Sequence, residues 1–165
     1  MGKIKGDNGK MRVTRYEVEL DSEQKNILVK ESSKNCTEIH SLDSPEKVKN
    51  LLNYLYSAGK KAEEYTWLIA LNTKCKPIGI FEISHGTANY SVVQPREIFV
   101  RLCLCGAVSF IVSHNHPSGD PIPSREDIKI TKRLFEAGQL MGINFLDHII
   151  VYSDNYYSFK ENDLM

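Results

Sequence analysis

The stretch that most constrains this chain runs Ser113-His-Asn-His-Pro-Ser-Gly-Asp-Pro-Ile-Pro-Ser-Arg-Glu-Asp127. It follows an apolar run, Ala107-Val-Ser-Phe-Ile-Val112, and precedes a segment with helical periodicity. In an extended backbone residues i and i+2 point to one side, so the imidazoles of His114 and His116 converge where a strand ends. Pro117 to Pro123, with three prolines and a glycine, breaks both periodicities and reads as a loop that returns the chain. Ser124 then caps a helix, and Asp127 offers a carboxylate in its first turn. Two imidazole nitrogens, one carboxylate oxygen and an open fourth position describe a catalytic zinc site. Ser124-x-x-Asp127 also has a plainer explanation as a capping box, which needs no metal.

The rest of the chain reads as a scaffold. Met11 to Glu19 alternates apolar and charged side chains, the pattern of a half-exposed strand, while the stretch from there to His40 has no decisive pattern. Ser44 and Pro45 open a helix whose apolar face is Val48, Leu51, Leu52 and Leu55, with Gly59 as its stop. Tyr65 to Leu71 reads as a buried strand, Asn72 to Pro77 as a turn, Ile78 to Ile83 as the paired strand and Tyr90 to Val93 as a third. Pro95 opens a helix with Ile98, Phe99, Leu102 and Cys105 inward and Gly106 at its end. Ala107 to Ser113 is a central strand. The helix from Ser124 to about Gly142 should bury Ile128, Leu134, Phe135 and Met141, and strands over Ile143–Tyr152 and Tyr156–Phe159 close the chain. This order argues an α/β (α+β) sandwich with helices against a mixed β-sheet.

The combination His114-x-His116-Pro117, six residues, then Ser124-x-x-Asp127 matches the metal motif of JAB/MPN-type (JAMM) metalloproteases. The longer run from His114 to Asp127 closely resembles the RadC family of bacterial JAMM-domain proteins. Its flanks agree: Ser84-His-Gly-Thr87, Pro95-Arg-Glu97 and Leu146-Asp-His-Ile-Ile150. The resemblance covers roughly Ser44 to the C-terminus. Residues 1–43 therefore read as an N-terminal extension, partly disordered over the Gly- and Lys-rich first dozen, and 44–165 as a JAB/MPN domain with a cytidine-deaminase-like fold. The resemblance implies His114, His116 and Asp127 as ligands of one zinc ion, and an upstream strand glutamate as proton carrier. The matching position is Glu82, an acid within an otherwise apolar strand, which would be expensive to bury without a partner. Glu97 competes, but the first turn of a helix explains it. Ser124 would hydrogen-bond the oxyanion. The reaction implied is hydrolysis of an amide, in a peptide or isopeptide, by a metal-activated water. Asn115 points away from the histidines and orders the loop. His148 beside Asp147 reads as a hydrogen-bonded structural pair, and His85 as a residue lining the cleft.

Composition enters as a filter. Lys and Arg number 21, as do Asp and Glu, so net charge gives no support for a nucleic-acid partner or an anionic membrane. Absence of a long apolar run or a signal-peptide core, with four scattered cysteines, points to the cytoplasm. Cys103 and Cys105 do not share a helical face and read as packing residues rather than ligands. The expected partner is a peptide or protein substrate. Two alternatives compete. One is a DNA-repair-associated or mobile-element accessory role acting on or near DNA, weakened because residues 1–43 lack a helix-hairpin-helix. The other is a non-catalytic interaction module, weakened because the ligand set is complete. A cytidine-deaminase-like zinc site fits less well, since no Pro-Cys-x-x-Cys follows the histidines.

Overall fold

Helix ends in this protein follow local side-chain chemistry. In the computed structural model, which describes residues 11–36, 39–86 and 93–165, helix α1 spans Pro45–Tyr56. The Ser44 hydroxyl accepts the Lys47 amide at 3.4 Å, and Val48, Leu51 and Leu52 are buried. The helix stops at Ser57, whose φ of 53° is left-handed, rather than at Gly59. Gly59 serves a different need: a Cβ there would lie 1.7 Å from the carbonyl oxygen of Ser153. Helix α2, Pro95–Cys105, does end on its glycine, Gly106, at φ 67°. Cys105 is half-buried but Cys103 is exposed, so only one of the two thiols packs. All four cysteines are unpaired.

Helix α3, Arg125–Met141, ends at Gly142 and buries Thr131, Leu134 and Gly138. Ile128 and Met141, expected inside, are 41% and 48% exposed. The cause is Gly138. Without a side chain it lies so close to the next strand that a Cβ would sit 2.7 Å from the Ile143 carbonyl oxygen. That contact rotates the helix until the row Asp127, Thr131, Leu134, Gly138 faces the sheet, with spacings that share one helical face.

One seven-stranded mixed sheet carries the helices. Its strands are β1 (Met11–Leu20), β2 (Asn26–Cys36), β3 (Glu64–Leu71), β4 (Pro77–Gly86), β5 (Ser109–Asn115), β6 (Asn144–Tyr152) and β7 (Asn155–Ser158). They lie in the order β2-β1-β4-β3-β5-β6-β7, with β1/β4 and β5/β6 parallel and the other pairs antiparallel. The patternless stretch after β1 is thus an edge strand. Mostly solvent-facing, β2 has no buried face to impose alternation. Of the strand expected at Tyr90–Val93, residues 90–92 lie outside the described residues, and Val93 is in no strand. The disorder expected of the first dozen residues likewise falls mostly outside them, and the two that are described, Met11 and Arg12, lie in β1.

Side-chain alternation splits the core in two. Trp67, Ile69, Ile80, Ile111 and Ile149 pack with α1 on one face. Leu68, Ala70, Phe81, Phe110 and Val112 pack with α2 and α3 on the other. Helices thus flank a mixed sheet on both sides, an α/β sandwich as the sequence pattern argues. No helix among the described residues is long and apolar enough to cross a membrane.

Candidate metal centre

Alternation along β5 carries directly into the site. Phe110 and Val112 face α3, so His114 does too, and His116 follows just past the strand end. His114 is 2% exposed, and Thr66 of β3 is its cross-strand partner. The capping box of α3 brings Asp127 to the same point. Ser124 Oγ accepts the Asp127 amide at 3.1 Å, and Asp127 Oδ2 accepts the Ser124 amide at 2.7 Å. One carboxylate oxygen closes the cap, and Oδ1 remains, 3.5 Å from His114 Nε2. The capping and ligand readings of Ser124-x-x-Asp127 are compatible, one oxygen serving each.

One ligand atom from each of His114, His116 and Asp127 lies within 4.8 Å of the other two. His114 Nε2 is 3.1 Å from His116 Nε2, and His116 Nε2 is 3.8 Å from Asp127 Oδ2. Donors bound tetrahedrally at about 2.0 Å stand roughly 3.3 Å apart, so these separations fit a zinc-sized ion. The donor chemistry fits as well. His116 Nδ1 donates to the Asp120 carbonyl oxygen at 2.7 Å, which directs the lone pair of Nε2 inward.

Electrostatics agree with cation capture. Burial pushes His114 down to about 4, with Asp127 resisting, so the ring is neutral. Burial also opposes ionisation of Asp127, yet its contacts with His116, His114 and Ser124 hold the carboxyl well below the usual carboxylate range. For His116 burial works downward, but Asp127 and the Asp120 carbonyl more than offset it and raise the pKa. The cluster is therefore an anion beside two imidazoles, one of which holds its proton more firmly than a free histidine. The same three residues line a cavity of about 680 Å³, together with Ser124, Glu64 and Arg133.

Glu82 is not brought to this cluster. It lies on β4, beyond β3, and is paired with Trp67, which is itself paired with Ser113 rather than His114. Trp67 and Ile80 belong to the α1 face, so Glu82 projects from the opposite side of the sheet. There it meets Arg15 at 3.3 Å and His85 at 3.4 Å. The partner demanded by an acid in an apolar strand exists, but it is an arginine and not a metal-site water. His85 goes with it, stacked on Tyr65 at 5.5 Å, and does not line the large cavity.

Besides Asp127, the acids lining the cavity are Glu64, Asp120 and Glu126, and of these Glu64 stands at the first position of β3, beside the histidine pair. Burial raises its pKa, the nearby Asp127 charge raises it further, and His116 opposes both. Glu64 closes the charged run Lys60-Lys-Ala-Glu-Glu64, and those neighbours disguise it. Counting back from the buried strand in twos, Leu68, Thr66 and Glu64 share the face that carries His114, and that signal was available.

Asn115 and His148 also differ from expectation. Asn115 does not order the loop. Its Oδ1 accepts the Tyr65 amide at 2.8 Å and its Nδ2 donates to the Glu63 carbonyl at 2.9 Å, clamping the start of β3 beside the site. Asp147 and His148 do not bond through their side chains. Asp147 accepts from the Ser158 hydroxyl and the Lys160 amide, whereas His148, opposite Val112, faces His114 with ring nitrogens 2.9 Å apart.

The family model for the RadC-like JAB domain matches residues 42–164. A UPF0758 protein of Alkaliphilus metalliredigens is 50% identical over 126 residues, covering 76% of this chain and 53% of that protein. A UPF0758 protein of Clostridium acetobutylicum is 46% identical over 125 residues, covering 75% and 53%. The chain thus spans about half the length of these curated relatives. With a match that takes in the histidine pair, the capping-box aspartate and the strands that carry them, the chain belongs to the RadC-like JAB domain family.

Proposed function

We propose that the protein is a zinc-dependent metallopeptidase or isopeptidase that hydrolyses an amide bond in a peptide or protein substrate. The observation that carries this reading is the convergence of His114, His116 and the Asp127 carboxylate, ligand atoms within 4.8 Å of one another, in the wall of an open cavity. Zinc held by these three would supply Lewis acidity, bringing a water to a pKa of about 7 and polarising a carbonyl. Glu64 takes the place in the mechanism that the sequence pattern gave to Glu82. Its carboxylate accepts a proton from the attacking water and delivers it to the leaving amine. The raised pKa suits that duty, because a carboxyl that holds its proton more firmly can also return it. Ser124 Oγ is occupied as an acceptor within the cap, so its hydroxyl proton is free to donate to the developing oxyanion.

Three variants test the reading together. His116→Ala should abolish stoichiometric zinc binding. Glu64→Gln should keep the zinc and lose hydrolysis by about a hundredfold or more, the scale of a missing general base. Glu82→Gln should leave both unchanged. Zinc uptake by His116→Ala equal to wild type would sink the ligand assignment. Activity lost in Glu82→Gln but kept in Glu64→Gln would return the role to Glu82. A substrate search with the Glu64→Gln protein as a trap supplies the amide to be assayed. Zinc retained with no hydrolysis across a peptide library would favour an interaction module.

A further inference from the structure

Behind His114 stands a second histidine that the proposed chemistry does not use. His148 is 2% exposed, and its ring is stacked on Phe159 at a centroid distance of 4.6 Å and an angle of 17°. Both of its nitrogens are engaged, and the direction of each bond can be worked out by counting protons. The chain begins at Thr131, whose Oγ1 lies 2.6 Å from the main-chain carbonyl oxygen of Asp127. That oxygen can only accept, so the one hydroxyl proton goes there. Thr131 Oγ1 is also 2.6 Å from His148 Nδ1, and with its proton committed it accepts, so Nδ1 carries the hydrogen. A fully buried imidazole flanked by a hydroxyl and another imidazole stays neutral, which leaves His148 Nε2 as a lone pair. It faces His114 Nδ1 at 2.9 Å, and that nitrogen must donate. His114 Nε2, the atom turned toward His116 and Asp127, is thereby kept free of a proton.

We infer that His148 and Thr131 are positioning residues that hold His114 in its metal-ligating tautomer through a relay anchored on the backbone of Asp127. The inference rests on the metal-centre reading above and deepens it. The anchor is the residue whose carboxylate is the third ligand, so the first turn of α3 both supplies a ligand and fixes the protonation of another. Outer hydrogen bonds of this kind orient metal-bound histidines generally, though the partner is more often a carboxylate or a carbonyl. Here a neutral histidine carries the instruction one residue further. With the relay broken, the proton of the neutral ring can settle on His114 Nε2, and it must return to Nδ1 before that nitrogen can bind a metal.

The test uses the full chain and zinc alone. Thr131→Val keeps the shape of the side chain and removes the acceptor for His148 Nδ1–H. The Asp127 carbonyl retains its ordinary helical partner, the amide of residue 131. The expected result is a zinc Kd raised about 10- to 100-fold, the usual cost of a lost outer-shell bond, with Thr131→Ser restoring wild-type affinity. In the metal-free wild type, nitrogen chemical shifts should show His114 protonated on Nδ1 and bare on Nε2, and Thr131→Val should move the population toward the reverse. A purely structural role would not move that tautomer. Wild-type zinc affinity in a folded Thr131→Val protein, or a wild-type spectrum with the proton on His114 Nε2, would overturn the relay. If Thr131→Val does not fold, the wild-type spectrum decides alone. A correct tautomer in a protein that takes up no zinc would overturn the metal-centre reading instead.

Discussion

A single proton separates the metal-free cluster from one ready for a cation. His116 binds it more tightly than an ordinary histidine because Asp127 and the Asp120 carbonyl favour its charged form against burial. His114 is neutral down to about pH 4, and Asp127 stays ionised well below the carboxylate range. The sign follows. Over the window from about 4 up to the raised pKa of His116, zinc must displace one proton, and zinc affinity falls as pH falls. Above that pKa no ligand proton remains to be displaced and the affinity levels off. We expect the association constant to drop about tenfold per pH unit between pH 6 and 5, the slope of one released proton. Competition titrations with a chelator of known pH dependence would measure it. A hundredfold drop per unit would mean that both histidines carry protons and that the neutral assignment of His114 is wrong.

At the scale of elements, what was legible in the sequence is what is decided within a few residues. Ser44, Ser124, Gly106 and Gly142 each act on their own turn, and the caps of α1, α2 and α3 stand where those residues indicated. The alternation of β5 likewise placed His114 and His116 on one side without any knowledge of the sheet. What failed depended on contacts distant in sequence. The register of β3 against β4 shifts between Thr66 and Trp67, and that irregularity helps decide which side chains of β4 align with which of β3. No local pattern announces it. Glu82 stands out as the acid in an apolar strand, whereas Glu64 blends into the charged run before β3 although alternation along β3 places it on the His114 face. The buried face of α3 was misjudged for a related reason, since the determinant is the approach of Gly138 to Ile143 and not the apolarity of Ile128 or Met141. Gly138→Ala tests that claim with two opposing magnitudes. Alanine gains about 1 kcal/mol in helix propensity, while overpacking against a backbone carbonyl costs about 1–3 kcal/mol. We expect net destabilisation in urea unfolding, with weaker zinc binding as α3 lifts and carries Asp127 away. A stabilised variant would show that the helix is not seated by this contact.

For the whole molecule, the sheet separates two charged centres that lie on opposite faces. The metal cluster faces α3, whereas Arg15, Glu31 and Glu82 form a network on the α1 face, with the Arg15 guanidinium also 5.7 Å from the ring centroid of Tyr56. Arg15 belongs to the β1–β2 hairpin, which precedes the family-matched residues 42–164 yet continues their sheet. The backbone join between β1 and β4 is a single parallel bridge, Arg15 to Ile80, so side chains must hold the hairpin in place. Met11 and Val13 do this through the apolar core, and Arg15 through ion pairs to β2 and β4. These pairs are partly solvated, with side-chain exposures of 22–37%, so screening limits their worth. Arg15→Ala should therefore lower the unfolding free energy by about 1–2 kcal/mol, through the lost ion pairs to Glu31 and Glu82, the latter keeping only His85. Because the sheet lies between the network and the cluster, zinc affinity should stay at the wild-type value. Chemical denaturation and a zinc titration on the same variant read both quantities. A loss of zinc affinity without unfolding would show that the two faces are coupled through β3, and that the hairpin is part of the site's machinery rather than a brace for the sheet.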